Sequence, residues 1–129
     1  MTAYLDTSAA VKLLFGEAES EALRSYLRGS PRRASSALLR AELVRATNRL
    51  DRAMIGAARA LLGSIALREV DDEVLDRAGE LAPLGLGTLD AIHVATASLL
   101  GPDLEAVVTY DRRMMGAARL YGLTVVSPA

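Results

Sequence analysis

Residues 2–15, TAYLDTSAAVKLLF, indicate the fold class of this chain. Residues 2–5 are typical of a short strand that ends at Asp6, and the apolar residues that follow recur at the spacing of a helix. Ser8 is the predicted cap of this helix and Gly16 is its predicted end. A strand that passes directly into a helix is the beginning of a β-α-β unit, which is the building block of parallel sheets.

The same alternation continues to the end of the chain. Strands are predicted at residues 33–35, 65–70, 106–109 and 123–126, and helices at residues 17–28, 36–50, 51–62, 71–81, 88–100 and 112–121. Alternating strands and helices imply a mainly parallel sheet that helices cover on both faces. We therefore predict an α/β fold with a central sheet of four to five strands. The helix at residues 88–100 is apolar almost all round, which predicts that it is buried.

Length and charge fit one soluble domain. The chain has 129 residues and 13.7 kDa, which favours a single domain over residues 1–129. Its 15 basic and 16 acidic residues give a net charge of -1. This balance excludes a protein that binds nucleic acid over a uniformly basic surface, but it leaves room for a local basic groove. The absence of Trp and an aromatic content of 4% argue against base-stacking platforms.

Cysteine and histidine counts exclude several kinds of site. The chain has no Cys, which excludes disulfides, zinc fingers, cysteine nucleophiles and iron–sulfur clusters, and its single His excludes a His-rich metal site. No apolar run reaches the roughly 18 residues that a membrane span needs. The N-terminal stretch has no basic residue before its apolar part, unlike a secretory signal. The expectation is a cytoplasmic protein that does not cross a membrane.

Two acidic residues come just after predicted strands. Asp6 follows the first strand, and Asp111 follows the fourth, at residues 106–109. In parallel α/β sheets the ligand crevice lies beyond the carboxyl ends of the strands, where the strand order reverses. If these two strands flank that point, both carboxylates face one crevice. Each residue is also a candidate cap for the next helix, and the sequence alone leaves both roles open.

Two further acidic residues lie within predicted helices, beside apolar residues. Glu42 is about one turn inside its helix, and Asp90 is in the first turn of the most apolar helix. The ordinary alternatives are an ion pair of Glu42 with Arg45 and a helix-start role for Asp90. Four carboxylates in one pocket repel each other unless cations neutralise them. With oxygen ligands only, the expected cation is Mg²⁺ or Mn²⁺, and two such ions would balance a charge of about -4.

Four segments, taken in order, resemble the PIN domain family. They are YLDTSA at residues 4–9, RAELVRA at residues 40–46, TLDAIHVATA at residues 88–97 and TYDRR at residues 109–113. The short length and the ending GLTVVSP are similar to the VapC-type ribonuclease toxins of bacterial type II toxin–antitoxin pairs. The resemblance implies a three-layer α/β/α fold and a divalent-metal-dependent ribonuclease that a partner antitoxin inhibits. By position it also implies that the catalytic and metal-binding residues are Asp6, Glu42, Asp90 and Asp111.

Residues beside these carboxylates are candidates for supporting them. Thr7 and Ser8 would hold a site carboxylate, or would serve a turn and a helix cap. Thr109 would orient the carboxylate two residues further on, or would be an ordinary strand residue. His93, in the buried helix, is predicted to be a hydrogen-bonded core residue, and a catalytic or metal-binding role is the alternative.

Three arginines are candidates for binding RNA. Arg45 and Arg49 follow Glu42 on its predicted helix, and Arg112 follows Asp111 directly. Near a metal centre they would contact phosphates, which position a nucleic-acid strand without reading its sequence. The alternative is a solvated helix face.

The sequence is interpreted as a Mg²⁺- or Mn²⁺-dependent endoribonuclease toxin that acts as a homodimer and is neutralised by a small DNA-binding antitoxin. Two alternatives stay open at this point: a PIN-type nuclease for single-stranded or branched DNA, and a non-catalytic, acidic Mg²⁺-binding signalling domain. Signalling domains of that kind usually have paired acids after the first strand and a Lys late in the chain. Here Thr7 follows Asp6, and Lys12 is the only Lys.

Overall fold

A five-stranded parallel sheet forms the centre of the molecule in the computed structural model, which describes residues 1–30 and 32–129. Its strands are Thr2–Leu5 (β1), Arg32–Ser36 (β2), Ala66–Arg68 (β3), Leu104–Val108 (β4) and Val125–Val126 (β5). They lie in the order β3-β2-β1-β4-β5, and each neighbouring pair is parallel. The prediction of a central, mainly parallel sheet of four to five strands is confirmed.

Helices cover both faces of this sheet. They are Thr7–Leu14 (α1), Ser20–Arg28 (α2), Leu39–Leu50 (α3), Ile55–Leu62 (α4), Asp72–Glu80 (α5), Thr88–Ser98 (α6) and Arg112–Leu120 (α7), with 3-10 turns at Arg52–Met54 and Gly101–Asp103. Side chains of α1 to α4 pack with Ala3 and Leu5 of β1. Tyr4 points to the opposite face, where it packs with α6 and α7, and α5 packs against α6. The fold therefore has the three layers that the resemblance implied.

The strand order reverses beside β1, in the middle of the sheet. β2 and β3 extend the sheet on one side of β1, whereas β4 and β5 extend it on the other. Such a reversal opens a crevice at the carboxyl ends of the two central strands, β1 and β4. The expectation that the first and fourth strands flank the switch point is confirmed. As a result, Asp6 and Asp111 follow strands that are neighbours in the sheet.

Helix α6 is the most buried helix of the described residues. All of its residues from 91 to 97 are buried, as its apolar sequence predicts. Across the ranges 1–30 and 32–129, no helix combines the length and the apolar character needed to cross a membrane.

The cap of α1 differs from the prediction. Asp6, rather than Ser8, caps α1: its carboxylate accepts a hydrogen bond from the backbone N–H of Ala9 at 3.0 Å. Helix α1 begins at Thr7, two residues after the end of β1, so Ser8 already lies in its first turn. Helix α6 begins at Thr88, which leaves the capping position to Gly87, a residue without a side-chain acceptor.

Element boundaries differ from the predictions by a few residues. Helix α2 begins at Ser20 instead of residue 17, because the preceding loop is held by ion pairs from Lys12 to Glu17 and Glu19. Helix α3 begins three residues later than predicted, since Ser36 still belongs to β2. These shifts leave the four candidate carboxylates on the predicted kinds of element.

Candidate active site

Four carboxylates lie at the carboxyl edge of the sheet, and we call them the acidic site: Asp6, Glu42, Asp90 and Asp111. Asp6 follows β1, and Asp111 lies three residues beyond β4. Glu42 is in the first turn of α3 and Asp90 in the first turn of α6. The sheet and the helix layers on both of its faces thus each contribute carboxylates to one crevice.

Asp6 is the most enclosed member of the acidic site, with only 3% of its surface exposed. Its Oδ1 accepts hydrogen bonds from the Ser8 hydroxyl at 2.6 Å and from the Ala9 N–H at 3.0 Å. Its Oδ2 accepts one from the Thr109 hydroxyl at 2.5 Å. Burial raises the pKa of Asp6 above its usual value, although these three hydrogen bonds favour the charged form. The carboxylate is therefore fixed in position at the expense of its solvation.

The hydroxyls that hold Asp6 also tie it to the end of β4. The Ser8 hydroxyl accepts a hydrogen bond from the Tyr110 N–H at 2.9 Å, and the Thr109 hydroxyl accepts one from the Asp111 N–H at 3.1 Å. Thr109 is fully buried. Through these two side chains, the positions of Asp6 and of the backbone of Asp111 depend on each other.

Glu42 is held by two side chains that contact the same oxygen. Its Oε1 accepts a hydrogen bond from the Thr7 hydroxyl at 2.9 Å and lies 2.6 Å from Nε2 of His93. Burial alone would raise the pKa of Glu42, but the contacts with His93 and Thr7 outweigh it and hold that pKa below the usual range. The alternative pairing with Arg45 is not formed, since no salt bridge involves Arg45 in the described part of the chain.

Asp90 carries the clearest sign that the four carboxylates converge. Burial raises the pKa of Asp90, and the charges of Asp111, Asp6 and Glu42 raise it further, whereas His93 acts in the opposite direction. Repulsion between charges in water is screened within about 10 Å at ordinary ionic strength. The four carboxylates therefore share one electrostatic environment.

Asp111 serves the fold as well as the acidic site. It caps α7, where its Oδ1 accepts hydrogen bonds from the N–H groups of Arg113 at 2.8 Å and Met114 at 3.4 Å. The capping role that the sequence left open is thus realised for Asp111, as it is for Asp6. For both residues it coexists with a position at the crevice.

The donor set of the acidic site fits a hard divalent cation. In residues 1–30 and 32–129, no Lys or Arg side chain forms an ion pair with any of the four carboxylates, so their mutual repulsion is not relieved by the chain's own strong cations. As positioned, no three His, Asp or Glu side chains of these residues form a ready-made metal cage. Mg²⁺ does not need one, because it keeps several waters and binds through one or two carboxylates.

The three arginines predicted to bind RNA are exposed. Arg45 and Arg49 lie three and seven residues after Glu42 on α3, which places them on the same helix face. Arg112 is the first residue of α7, next to Asp111. All three side chains are therefore accessible to solvent.

One polar contact of the site was not predicted from the sequence. His93 was expected to be a hydrogen-bonded core residue, and it is buried, but its partner Glu42 belongs to the acidic site. The available signal was spacing: His93 lies three residues after Asp90, and residues three apart share one face of a helix.

Comparison with known proteins identifies the family. The PIN domain family model matches residues 3–120. The chain is 51% identical to ribonuclease VapC46 of Mycobacterium tuberculosis (strain ATCC 25618 / H37Rv), over 98% of this chain and 97% of the relative. It is 36% identical to ribonuclease VapC47 of M. tuberculosis (strain CDC 1551 / Oshkosh), over 97% of this chain and 96% of the relative.

Solved structures share the fold. M. tuberculosis VapC20, described as a sarcin-ricin loop cleaving toxin, matches with a TM-score of 0.77 and 19% identity, over 98% of this chain and 99% of that one. A toxin–antitoxin complex from Klebsiella pneumoniae matches with a TM-score of 0.72 and 21% identity, over 98% of both chains. At these identities the likeness concerns the fold.

Proposed function

The chain belongs to the PIN domain family, and on that premise we propose that it is an RNA-cleaving hydrolase of the VapC type. One domain over residues 1–129 carries the activity, and the catalytic residues are those of the acidic site: Asp6, Glu42, Asp90 and Asp111. The observation that carries the proposal is the convergence of four carboxylates without a Lys or Arg partner among the described residues, at the crevice of an open α/β sheet.

The cofactor we propose is Mg²⁺ or Mn²⁺. Asp6 and Asp90 would hold it, with support from Glu42 and Asp111, because these side chains offer only oxygen ligands in a region of uncompensated negative charge. When bound, such an ion supplies a polarised water for in-line attack on a phosphodiester and stabilises the leaving oxygen.

The chain's own residues supply positioning. Ser8 and Thr109 fix both oxygens of Asp6, and Thr7 fixes Oε1 of Glu42, so that these carboxylates need little reorganisation when substrate arrives. Around them, Arg45, Arg49 and Arg112 would contact phosphates of the RNA and align its backbone with the acidic site. The expected products are a 5′-phosphate and a 3′-hydroxyl.

The partners we propose are a cognate antitoxin and a second copy of the chain. The VapC relatives support this proposal, and so does the structural neighbour described as a toxin–antitoxin complex. Charge supports it as well, since the acidic site is a natural receptor for an Arg side chain of an inhibitor, which would compete with the metal for the same oxygens. The cytoplasm, which contains the RNA substrate, is the proposed location.

The first test compares nuclease activity between matched variants. We expect Asp6→Asn and Asp90→Asn to reduce cleavage of total bacterial RNA in Mg²⁺ or Mn²⁺ by about 100-fold or more, because charge stabilisation in active sites contributes factors of this order. Asp76→Asn makes the same chemical change on the exposed surface of α5 and should cleave like the wild type. Circular dichroism checks that all variants keep the fold.

Three results would contradict parts of the proposal. Full activity of Asp6→Asn would exclude the acidic site as the catalytic centre. Full activity in EDTA would exclude the metal. Cleavage of single-stranded or branched DNA but not RNA would replace the proposed substrate by DNA.

A further inference from the structure

A hydrogen-bonded network of three side chains, Tyr4, His93 and Glu42, connects the core to the acidic site. The hydroxyl of Tyr4 lies 2.7 Å from Nδ1 of His93, and Nε2 of His93 lies 2.6 Å from Oε1 of Glu42. Tyr4 is fully buried and His93 is 2% exposed. The two rings meet edge to face, with centroids 5.9 Å apart and an interplanar angle of 76°. Both ends of the imidazole are therefore fixed.

The hydrogen-bonding capacity of Glu42 assigns one hydrogen of the imidazole of His93. The carboxylate of Glu42 only accepts, so Nε2 of His93 donates to it. Nδ1 shares a hydrogen bond with the hydroxyl of Tyr4, a group that can both donate and accept. The ring is thus held with a hydrogen on Nε2, directed at Glu42.

These three side chains connect three elements that carry a member of the acidic site or directly precede one. Tyr4 lies on β1, two residues before Asp6. His93 lies on α6, three residues after Asp90, and Glu42 lies on α3. Helices α3 and α6 belong to opposite layers of the fold, so the contact between His93 and Glu42 fixes a distance across the end of the sheet.

The contact also leaves one oxygen of Glu42 available. Thr7 and His93 both contact Oε1, and within residues 1–30 and 32–129 no side chain or backbone group donates to Oε2. An anchored Oε1 fixes the rotation of the carboxylate and hence the direction in which Oε2 points. A ligand at Oε2 would meet an oxygen that is already oriented.

We propose that His93, held by Tyr4, is a positioning residue that orients the carboxylate of Glu42 for binding the divalent cation. The inference rests on the proposed function, because it requires that Glu42 be a metal ligand. His93 itself does not touch the cation. Groups that orient metal ligands commonly account for about a 10-fold to 100-fold difference in metal affinity.

The single His of the chain allows a direct test in the metal-free protein. The two ring nitrogens of His93 are observable by long-range ¹H–¹⁵N NMR without any assignment problem. We expect a protonated Nε2. Tyr4→Phe should shift mainly the Nδ1 resonance, and Glu42→Gln mainly the Nε2 resonance. A proton on Nδ1 alone, or resonances that ignore both substitutions, would overturn the inference.

The second test measures Mn²⁺ affinity by calorimetry. We expect His93→Leu to weaken Mn²⁺ binding by about 10-fold or more, and His93→Gln to recover part of the loss, since its amide can still donate towards Glu42. In the Glu42→Gln background, His93→Leu should have almost no further effect, because residues that act through one another are not additive. Thr47→Val, a buried change on α3 away from the acidic site, is the packing control.

The outcomes separate this inference from the proposed function. A wild-type protein that binds no Mn²⁺ contradicts the proposed function and the inference with it. Mn²⁺ binding that depends on Glu42 but not on His93 contradicts the inference alone. The same holds if His93→Leu weakens binding equally with and without Glu42→Gln, because His93 then acts only through packing.

Discussion

At the residue scale, Asp6 combines a role in the fold with a position in the acidic site. Its Oδ1 caps α1, while its Oδ2 is held by Thr109 from the end of β4. A buried carboxylate is destabilising unless hydrogen bonds compensate for the lost solvation. The three donors around Asp6 provide this compensation, which explains why a nearly inaccessible charge is tolerated at the end of the central strand.

The hydroxyl of Thr109 should therefore matter more than an average buried hydroxyl. Thr109→Val leaves Oδ2 of Asp6 and the N–H of Asp111 without their partner. We expect a loss of about 1–3 kcal/mol in the free energy of unfolding, measured by urea denaturation. Thr47→Val is the matched control, because that hydroxyl contacts only the Leu43 carbonyl of its own helix. Equal losses for the two variants would mean that Thr109 does not act through Asp6.

Burial of Asp90 and repulsion from its acidic neighbours should make the metal-free site a source of instability. The raised pKa of Asp90 means that the folded state holds the proton more tightly than the unfolded state does. The free energy of unfolding then falls as the pH rises from about 3.9, the unfolded value, through the folded value. In EDTA at pH 7, Asp90→Asn should melt at a higher temperature than the wild type, because the variant carries no charge at this position.

The stability advantage of Asp90→Asn should shrink both at low pH and when metal is bound. It should shrink as the pH falls towards 4, where the wild-type carboxylate is protonated. Saturating Mn²⁺ should raise the melting temperature of the wild type more than that of the variant, since binding to the folded state alone stabilises it. An Asp90→Asn protein that is less stable than the wild type in EDTA would show that burial and repulsion do not destabilise the charged carboxylate at this position.

At the scale of elements, Asp111 allows the cap of α7 to be separated from the acidic charge. Asp111→Asn keeps a good capping side chain but removes the charge, whereas Asp111→Ala removes both. We expect Asp111→Ala to lose about 1 kcal/mol of stability by thermal denaturation and Asp111→Asn to lose little. Both should cleave RNA more slowly than the wild type. Wild-type cleavage by Asp111→Asn would leave this residue with a capping role only.

Elements were predictable from the sequence to the extent that local pattern determines them. The alternation of short apolar strands and helices gave the parallel sheet, and an acid after each central strand gave Asp6 and Asp111. The cap of α1 was missed because the cap lies two residues earlier than predicted, at Asp6, which moves Ser8 into the first turn. The contact of His93 with Glu42 was missed because it depends on how α3 and α6 face each other across the sheet, which no local pattern encodes.

At the scale of the whole molecule, a net charge of -1 gives little general attraction for nucleic acid. An acidic site at the crevice repels phosphates as well, until a cation is bound. Any attraction must therefore come from local arginines, and α3 presents Arg45 and Arg49 on the face that begins with Glu42. Arg112 adds a charge on the far side of the crevice, at the beginning of α7. This arrangement predicts weak binding overall that depends on a few exposed side chains.

The salt dependence of RNA binding tests this arrangement. Each phosphate contact with a single strand contributes about 0.7 to the slope of log K against log salt concentration, so Arg49→Ala should weaken binding and flatten the slope by about that amount. Asp6→Asn serves as the parent protein in these measurements, because a variant that does not cleave keeps the RNA intact during titration. Arg32→Ala is the matched control, since Arg32 is equally exposed but lies at the start of β2, at the opposite edge of the sheet. If Arg49→Ala leaves the slope unchanged, Arg49 belongs to the solvated surface. If both substitutions flatten the slope equally, RNA is attracted by overall charge instead of by the face of α3.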